Sequence, residues 1–324
     1  MSLKRLVRRS LWLTCAYYLY DDWRAGRRLA RGRLETRSGR RHAALDLDQS
    51  LGYIDRVHDD YLRYGGIERF EGVVVEIGPG DNLGVALRML ADGAREVHAI
   101  DRYVPARDPA RQRRIYEELA ARPGIAALFD GAPEIERVRN LHYHPGVPAE
   151  RFFADVTTRF DAIVSRAVLE HLYDPLAALD DMARALKPGG VMIHRIDLRD
   201  HGMFAGRHPL THLTMPPWLY RRMTRNAGRP NRVLMPAYRD WLARAGLDGS
   251  VKVSRLAGIE GEIEPVPIEA LEPAMKARAI ETVRTIRPRL AAPFRALDDE
   301  MLAVSGLVLV ARKARLDQDT RKTH

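Results

Sequence analysis

A single cysteine, Cys15, among 324 residues leaves no partner for an intramolecular disulfide and points to a reducing, cytoplasmic compartment. No apolar run reaches the roughly 20 residues that a helix needs to cross a bilayer. Internal repeats and long low-complexity tracts are also missing, which excludes solenoid and fibrous architectures. Beyond residue 41 there is almost no excess of positive charge. The formal charge of the chain is +10, and its first 41 residues alone hold twelve Lys or Arg against Asp21, Asp22 and Glu35. A nearly neutral body argues against a nucleic-acid channel across it, although a basic arm could still hold RNA. What remains is a chain long enough for one large core, or one core with an inserted cap.

The basic segment reads as an extension over 1–44, ahead of a domain over 45–324. Leu3, Leu6, Val7, Leu11, Trp12, Tyr17 and Tyr18 give it an apolar stripe beside Lys4, Arg5, Arg8 and Arg9. Such a helix can lie on an anionic membrane surface, or dock on the outer face of a sheet with its charges in water. The Arg8-Arg9 pair resembles the start of a twin-arginine export signal. The apolar run is short, however, no A-x-A site follows, and Asp21-Asp22 interrupts it.

The most informative stretch is VVVEIGPGDNLG, Val73 to Gly84. Val73, Val74, Val75 and Ile77 form the short β-branched run of a parallel strand covered on both faces. Gly78 and Gly80 remove side chains where the backbone turns tightly against a ligand. Asp81 or Asn82 can cap the next helix, which Leu83, Val85, Ala86, Leu87, Met89 and Leu90 pack on the sheet. A second strand, Val97 to Ile100, ends at Asp101, where a carboxylate can accept hydrogen bonds from both hydroxyls of a ribose. Three details favour a nucleoside over a dinucleotide. The spacing Gly78-x-Gly80-x-x-x-Gly84 departs from G-x-G-x-x-G. Pro79 removes a backbone N–H that a phosphate could use. Glu76 suits an amino group and repels a pyrophosphate. A ligand with a ribose at one end and a cationic amino acid at the other is S-adenosylmethionine.

These residues resemble the class I S-adenosylmethionine-dependent methyltransferases. EIGPG resembles that family's first motif, VHAIDRY its second, FDAIVSRAVLEHLYDP its fourth strand with the start of the next helix, and LKPGGVMI its fifth strand. The resemblance runs from about Gly72 to Asp197, with Leu302 to Lys313 as the last strand. It implies an α/β fold: a Rossmann-like, doubly wound, mostly parallel seven-stranded sheet with ligands at the carboxyl ends of the strands. Helical caps are expected as insertions at 198–236 and 257–300. The cofactor site implied by the resemblance contains Glu76, Gly78, Gly80, Asp101, Arg102 and Ser165. A helix spanning Leu51 to Leu62 would fold over the methionine end, with Tyr53, Tyr61 and Tyr64 as candidates to line the pocket. The adenine is harder to place. The third strand, Val138 to Tyr143, leads into His144-Pro145-Gly146 without the acid common there, so His144 and the later Asp155 are the candidates. Arg102 either stacks or points to solvent.

Local signals define the connecting elements. Asp174 and Pro175 form an N-cap and first helical residue, and Leu176, Leu179, Met182, Ala183 and Leu186 recur at helical spacing. Lys187-Pro188-Gly189-Gly190 stops that helix and opens a strand over Val191 to Ile196. A helix over Tyr238 to Ala245, a strand over Val251 to Leu256 and a proline-broken helical segment over Ile263 to Leu297 follow.

Methyl transfer from a sulfonium needs chiefly positioning and desolvation. A neutral hydroxyl acceptor additionally needs a base. His201, His171 and Asp197 are the catalytic candidates, because LEHLYDP and HRIDLRDH stand where an acceptor arrives, whereas His194 reads as a packed strand residue. Asp197, Asp200, His201 and His208 could instead gather a divalent metal, but their spacing matches no metal motif and no metal site is assigned. The following insertion holds His208, His212, Trp218, Arg225, Asn231 and Arg232, a mix able to stack on a sugar and hydrogen-bond its hydroxyls. The expectation is a cytoplasmic enzyme methylating oxygen on a small-molecule or glycan-like acceptor. Peripheral contact with the inner face of a membrane falls to the N-terminal helix, and nucleic acid is not the expected partner. The rivals are an RNA or protein methyltransferase guided by the basic arm and a non-enzymatic cofactor-binding scaffold.

Overall fold

The alternation in VVVEI divides the molecule into two cores: Val73, Val75 and Ile77 enter one hydrophobic cluster and Val74 the other, as a strand's period of two requires. These residues belong to β1 (Gly72–Ile77) in a computed structural model that describes residues 10–33, 35–36 and 44–315. The sheet is completed by β2 (Ala94–Asp101), β3 (Leu141–Pro145), β4 (Phe160–Arg166), β5 (Leu186–Asp197), β6 (Asp248–Leu256) and β7 (Val304–Arg312), in the order β3-β2-β1-β4-β5-β7-β6. The first five pair in parallel, and β7 runs antiparallel to both β5 and β6. Strand order reverses between β1 and β4, so the crevice for a ligand opens at their carboxyl ends.

The helices follow from their apolar spacing. Those of eight residues or more are α1 (Leu11–Leu29), α2 (Leu47–Gly65), α3 (Gly84–Asp92), α4 (Pro109–Ala120), α5 (Pro175–Ala185), α6 (Pro217–Thr224), α7 (Met235–Arg244) and α8 (Pro273–Ile286). Ile54 and Tyr61 of α2, Leu87 of α3 and Ile115 of α4 join Val74 on one side of the sheet. Leu179 of α5, Trp241 of α7 and Val283 of α8 join Val75 on the other. Burying such side chains is worth about 1.5–3 kcal/mol each relative to exposure. A hydrogen bond from Trp241 Nε1 to Asp180 Oδ1 (2.8 Å) ties α7 to α5.

Boundaries depart from the sequence reading where tertiary contacts intervene. The third strand begins at Leu141 rather than Val138, because Val138 bridges Phe129 and Asn140 turns the chain with φ +62°. Neither Asp81 nor Asn82 is the N-cap of α3; Leu83 is, while Asn82 Oδ1 accepts the Gly84 amide at 2.9 Å. Asp174 does cap α5, accepting from Ala177 N at 3.0 Å with Pro175 behind it. The Lys187–Gly190 turn is absorbed into β5, with Lys187 Nζ on Asp161 Oδ2 (2.7 Å). Within Ile263 to Leu297 the longest helix is α8, because Val266 is taken into a bridge with Val253.

The N-terminal helix does not lie on the sheet. Its buried residues are Thr14, Cys15, Asp22 and Ala25. Cys15 packs with Met215, Leu219, Tyr220 and Met223, in and just before α6. Leu11 and Tyr18 face this cluster, whereas Trp12 and Tyr17 are exposed. Leu3, Leu6, Val7, Lys4, Arg5, Arg8 and Arg9 lie outside the described residues. Among the described residues, no helix is long and apolar enough to cross a membrane.

Candidate active site

The turn after β1 holds Gly78 and Gly80 at φ +74° each, a region that L side chains rarely adopt. Gly78 N donates to the Ile100 carbonyl (2.8 Å), tying the turn to β2. A Cβ on Gly78 would sit 2.5 Å from Val168 Cγ2, whereas at Gly80 nothing lies within 4 Å of that position. Gly80 instead borders a cleft of about 320 Å³. Ile77 to Gly80, Asp101 to Tyr103 after β2 and Arg166 to Val168 at the end of β4 line it, with Tyr53 of α2 and Ala227-Gly228 of the long insertion.

Glu76 is 3% exposed and its Oε2 has no partner. Burial pushes its carboxyl up to about 8, against the opposing charge of Arg107 and with a further push from Asp101. A buried acceptor without a donor carries a free-energy cost that an ammonium group would offset. Burial also raises Asp101, to about 6, although the Tyr103 amide and Arg107 oppose it. One Asp101 oxygen accepts from Tyr103 N at 3.3 Å. The open Gly80 backbone and the Asp101 carboxyl line the cleft and suit a ribose, and the unpartnered Glu76 oxygen lies buried just behind it, one residue before the lining segment Ile77–Gly80.

Other sequence candidates sort by their surroundings. Arg102 lines the cleft and stacks on Tyr173, with its guanidinium carbon 3.9 Å from the ring centroid, rather than pointing to solvent. His144 turns away: its Nε2 lies 3.0 Å from His98 Nδ1 and its ring packs on Phe152. After β3, Val147 and Ala149 line the cleft instead. Asp155 is exposed before β4. Ser165 faces the interior, its hydroxyl 2.8 Å from His194 Nδ1. Of the three tyrosines, Tyr53 lines the cleft, while Tyr61 is buried in the core and Tyr64 packs beneath the Arg63 guanidinium. Arg107 is a residue that sequence reasoning misses. It donates to the Gly80 carbonyl (2.9 Å) and lies over Tyr143 (4.5 Å), and only the fold brings it there.

A second group of titratable residues adjoins the cleft. Arg199 grips Asp197 through two hydrogen bonds, Nε to Oδ1 at 2.8 Å and a terminal nitrogen to Oδ2 at 2.5 Å. Burial opposes ionisation of Asp197, but Arg199 and His201 hold its carboxyl well below the usual range. His201 Nε2 lies 3.5 Å from Asp197 Oδ2 and 3.6 Å from Glu170 Oε1. Its ring stands edge-on to His171, centroids 4.8 Å apart. His171 lines the cleft, and burial pushes it down to about 3, so it is neutral. Glu170 is 1% exposed and neither oxygen makes a hydrogen bond, and burial with the nearby Asp197 drives it well above the carboxylate range. The group therefore combines a neutral acid, a neutral imidazole and an ionised carboxylate around His201.

The Asp197, Asp200, His201 and His208 quartet does not assemble. Asp200 accepts from Gly202 N (2.9 Å) and Phe204 N (2.8 Å), and His208 Nε2 lies 2.9 Å from the Thr282 carbonyl. Among the described residues, the grouping spaced for a divalent cation is Glu170, His171 and His201, one ligand atom from each lying within 4.8 Å of the others. Asn231 and Arg232 fasten the insertion: Asn231 Nδ2 donates to the Leu169 and Leu172 carbonyls (2.9 and 3.1 Å), and Arg232 to Met215 O (2.7 Å). Leu198 and Arg199 also border a second cavity of about 510 Å³, walled by Leu210, Leu213, Leu234 and Leu256 with Arg255 and His212.

A sheet in this order with its seventh strand reversed, holding a cleft that an ammonium and a ribose would complete, defines the class I S-adenosylmethionine-dependent methyltransferases. The chain belongs to the methyltransferase domain family, whose profile matches residues 51–249. The family is one of methyl-transferring enzymes. Ubiquinone biosynthesis O-methyltransferase of Xylella fastidiosa (strain 9a5c) is 37% identical over 82 residues, covering 23% of this chain and 33% of that protein. The matched segment thus spans about a third of the length of this curated relative. Among solved structures, N-methyltransferase NodS from Bradyrhizobium japonicum is similar at 15% identity and TM-score 0.41, over 85% of this chain and 95% of that one. Phosphoethanolamine N-methyltransferase 2 of Haemonchus contortus is similar at 14% identity and TM-score 0.41, over 83% and 57%.

Proposed function

We propose that this methyltransferase acts on an oxygen atom of a small-molecule or glycan-like acceptor, with His201 as the base. The observation that carries the reading is His201 held between the ionised Asp197 and the neutral Glu170, against His171 of the cofactor cleft. A hydroxyl loses its proton as it accepts a methyl group, and an imidazole beside a fixed carboxylate takes that proton without needing to be charged beforehand. When bound, S-adenosylmethionine supplies an electrophilic methyl carbon. Glu76 would receive its ammonium and Asp101 its ribose, and the Gly78 and Gly80 backbone would let it approach closely. Tyr53 and the Ala227-Gly228 turn help exclude water from the cleft.

Segments 198–236 and 257–300 serve as caps on the acceptor side, and the leucine-walled cavity beside Arg199 takes an apolar part of the acceptor. The partial match to O-methyltransferases supports oxygen as the methylated atom. The nearly neutral body supports a small acceptor over RNA. We place the protein in the cytoplasm, in peripheral contact with a membrane through α1. The test is acceptor-dependent release of S-adenosylhomocysteine across hydroxylated small molecules and saccharides, with RNA and protein in parallel. Transfer confined to RNA, protein or amines overturns the reading.

A second reading is favoured by the Glu170 oxygens and His171 Nδ1, none of which makes a hydrogen bond. A divalent cation held by Glu170, His171 and His201 would bind the acceptor hydroxyl and lower its pKa, so that its proton would leave to water rather than to His201. Activity would then vanish on chelation and return with added cation.

A further inference from the structure

Both acids of α1 turn toward the protein. The buried Asp22 carboxylate accepts from Asn226 N (2.7 Å), Asn226 Nδ2 (2.8 Å) and Ala227 N (2.9 Å). Asp21 pairs with Arg229 at 2.7 Å. At 3.6 residues per turn, the inward positions of Thr14, Cys15, Asp22 and Ala25 determine the opposite face. That face presents Trp12, Leu13, Tyr17, Tyr20 and Trp23 with Arg24 and Arg27, and no acid. Trp12 is 78% exposed and Trp23 53%. The arginines sit on the rings, Arg27 at 5.1 Å from the Trp23 centroid and Arg24 at 5.8 Å from that of Tyr20.

Five large apolar side chains exposed on one helical turn after another exceed the scattered apolar residues of an ordinary water-facing surface. Aromatic rings interleaved with guanidinium groups suit a lipid headgroup layer, where rings meet acyl chains and cations meet phosphates. We propose that this face of α1 seats in the surface of an anionic phospholipid bilayer. Charge complementarity selects that occupant, since the first 41 residues hold twelve basic residues, and α1 has turned two of their three acids inward. A second copy of the chain would oppose arginine to arginine, and an RNA strand, which could stack its bases on the rings, would leave Leu13 in water. The contact also reaches the active site. Asp22 holds the turn at Asn226 and Ala227, and Ala227 with Gly228 lines the cofactor cleft, so the cleft is carried beside the membrane-seated helix. This step rests on the proposed peripheral contact and is independent of which atom is methylated.

The test is co-sedimentation of the full chain with vesicles of phosphatidylcholine alone and of phosphatidylcholine mixed with phosphatidylglycerol. Tryptophan emission and S-adenosylhomocysteine affinity are read on the same preparation. The expected result is pelleting with the mixed vesicles only, weakened by salt, with a blue shift in emission. A Trp12→Ser/Tyr20→Ser/Trp23→Ser variant and an Arg24→Glu/Arg27→Glu variant should each lose at least about tenfold in vesicle affinity and keep wild-type S-adenosylhomocysteine affinity. The proposal is overturned if the wild type stays in the supernatant, or if the aromatic variant pellets as the wild type does. It is equally overturned if the wild type is a dimer that the aromatic variant dissociates, or if only the charge reversal matters, which marks a site for a soluble polyanion. Loss of S-adenosylhomocysteine binding by the wild type would count against the methyltransferase reading and leave the vesicle result standing.

Discussion

Gly78 and Val168 approach so closely that no side chain fits between them: a Cβ on Gly78 would lie 2.5 Å from Val168 Cγ2. The motif glycine therefore serves packing against the segment after β4 as well as the left-handed turn. Gly78→Ala should cost about 1–2 kcal/mol for the turn and about 1–3 kcal/mol more for overpacking. Gly80→Ala carries the backbone strain alone, since its Cβ meets open space, but it narrows the cleft. The first substitution should lower the melting temperature more, and the second should mainly weaken S-adenosylhomocysteine binding. A Gly78→Ala/Val168→Ala chain should recover the overpacking part; if the two effects simply add, the contact does not matter.

On the proposed reading, Glu76 would connect cofactor binding to pH and to stability. Its carboxyl lies at about 8 in the folded protein against an ordinary value of 4.5. Between those values the folded state keeps a proton that the unfolded state has released, so the contribution to stability is full below 4.5 and is lost as pH rises toward 8. Glu76→Gln should flatten that slope and leave the variant more stable than the wild type at pH 8, by about 2–5 kcal/mol. The same change should remove most affinity for S-adenosylhomocysteine. Binding by the wild type at pH 7 should release a proton, visible as buffer-dependent heats in calorimetry. Identical stability slopes in the two proteins would remove Glu76 from this role.

Legibility in the sequence followed distance along the chain. Val73 to Gly80, Asp101 and the Asp174-Pro175 cap are local patterns of periodicity, turn chemistry and capping, and they form in place. Arg107 reaches Gly80 from 27 residues away, and its neighbours carry no period or spacing that announces it. Glu170 and His201 meet because β4 and β5 are registered with Ser165 opposite His194 and Arg166 opposite Arg195, which brings the segments after both strands to one place. In α1, apolar character alone grouped Trp12 with Leu11 and Tyr18. The helix instead turns Cys15 and Asp22 inward, because α6 and the Asn226 turn offer them partners, and leaves Trp12 outside.

If His201 is the base, His201→Gln should reduce acceptor-dependent release of S-adenosylhomocysteine by about 10²–10⁴-fold with cofactor affinity unchanged. Asp197→Asn should move turnover the same way, since it removes the carboxylate that would stabilise a protonated imidazole. Single-turnover rates with a labelled methyl group separate chemistry from product release. A His201→Gln enzyme that turns over at the wild-type rate would return the oxygen-acceptor reading to the cation alternative or to an acceptor that needs no base.

The Asp22 contact makes the N-terminal helix more than an appendage. Asp22→Ala leaves two backbone amides and the Asn226 side chain without their acceptor, which should cost about 1–3 kcal/mol of stability. Ala227 and Gly228 line the cleft, so loosening their turn should also weaken S-adenosylhomocysteine binding, by about the tenfold that 1.4 kcal/mol represents. Removing residues 1–33 should reproduce the same loss, because α1 goes with its carboxylate. Calorimetric titration of both proteins against the wild type decides the matter. Wild-type affinity in the truncated chain would mean that the turn holds its shape unaided, and that α1 does not serve the cofactor.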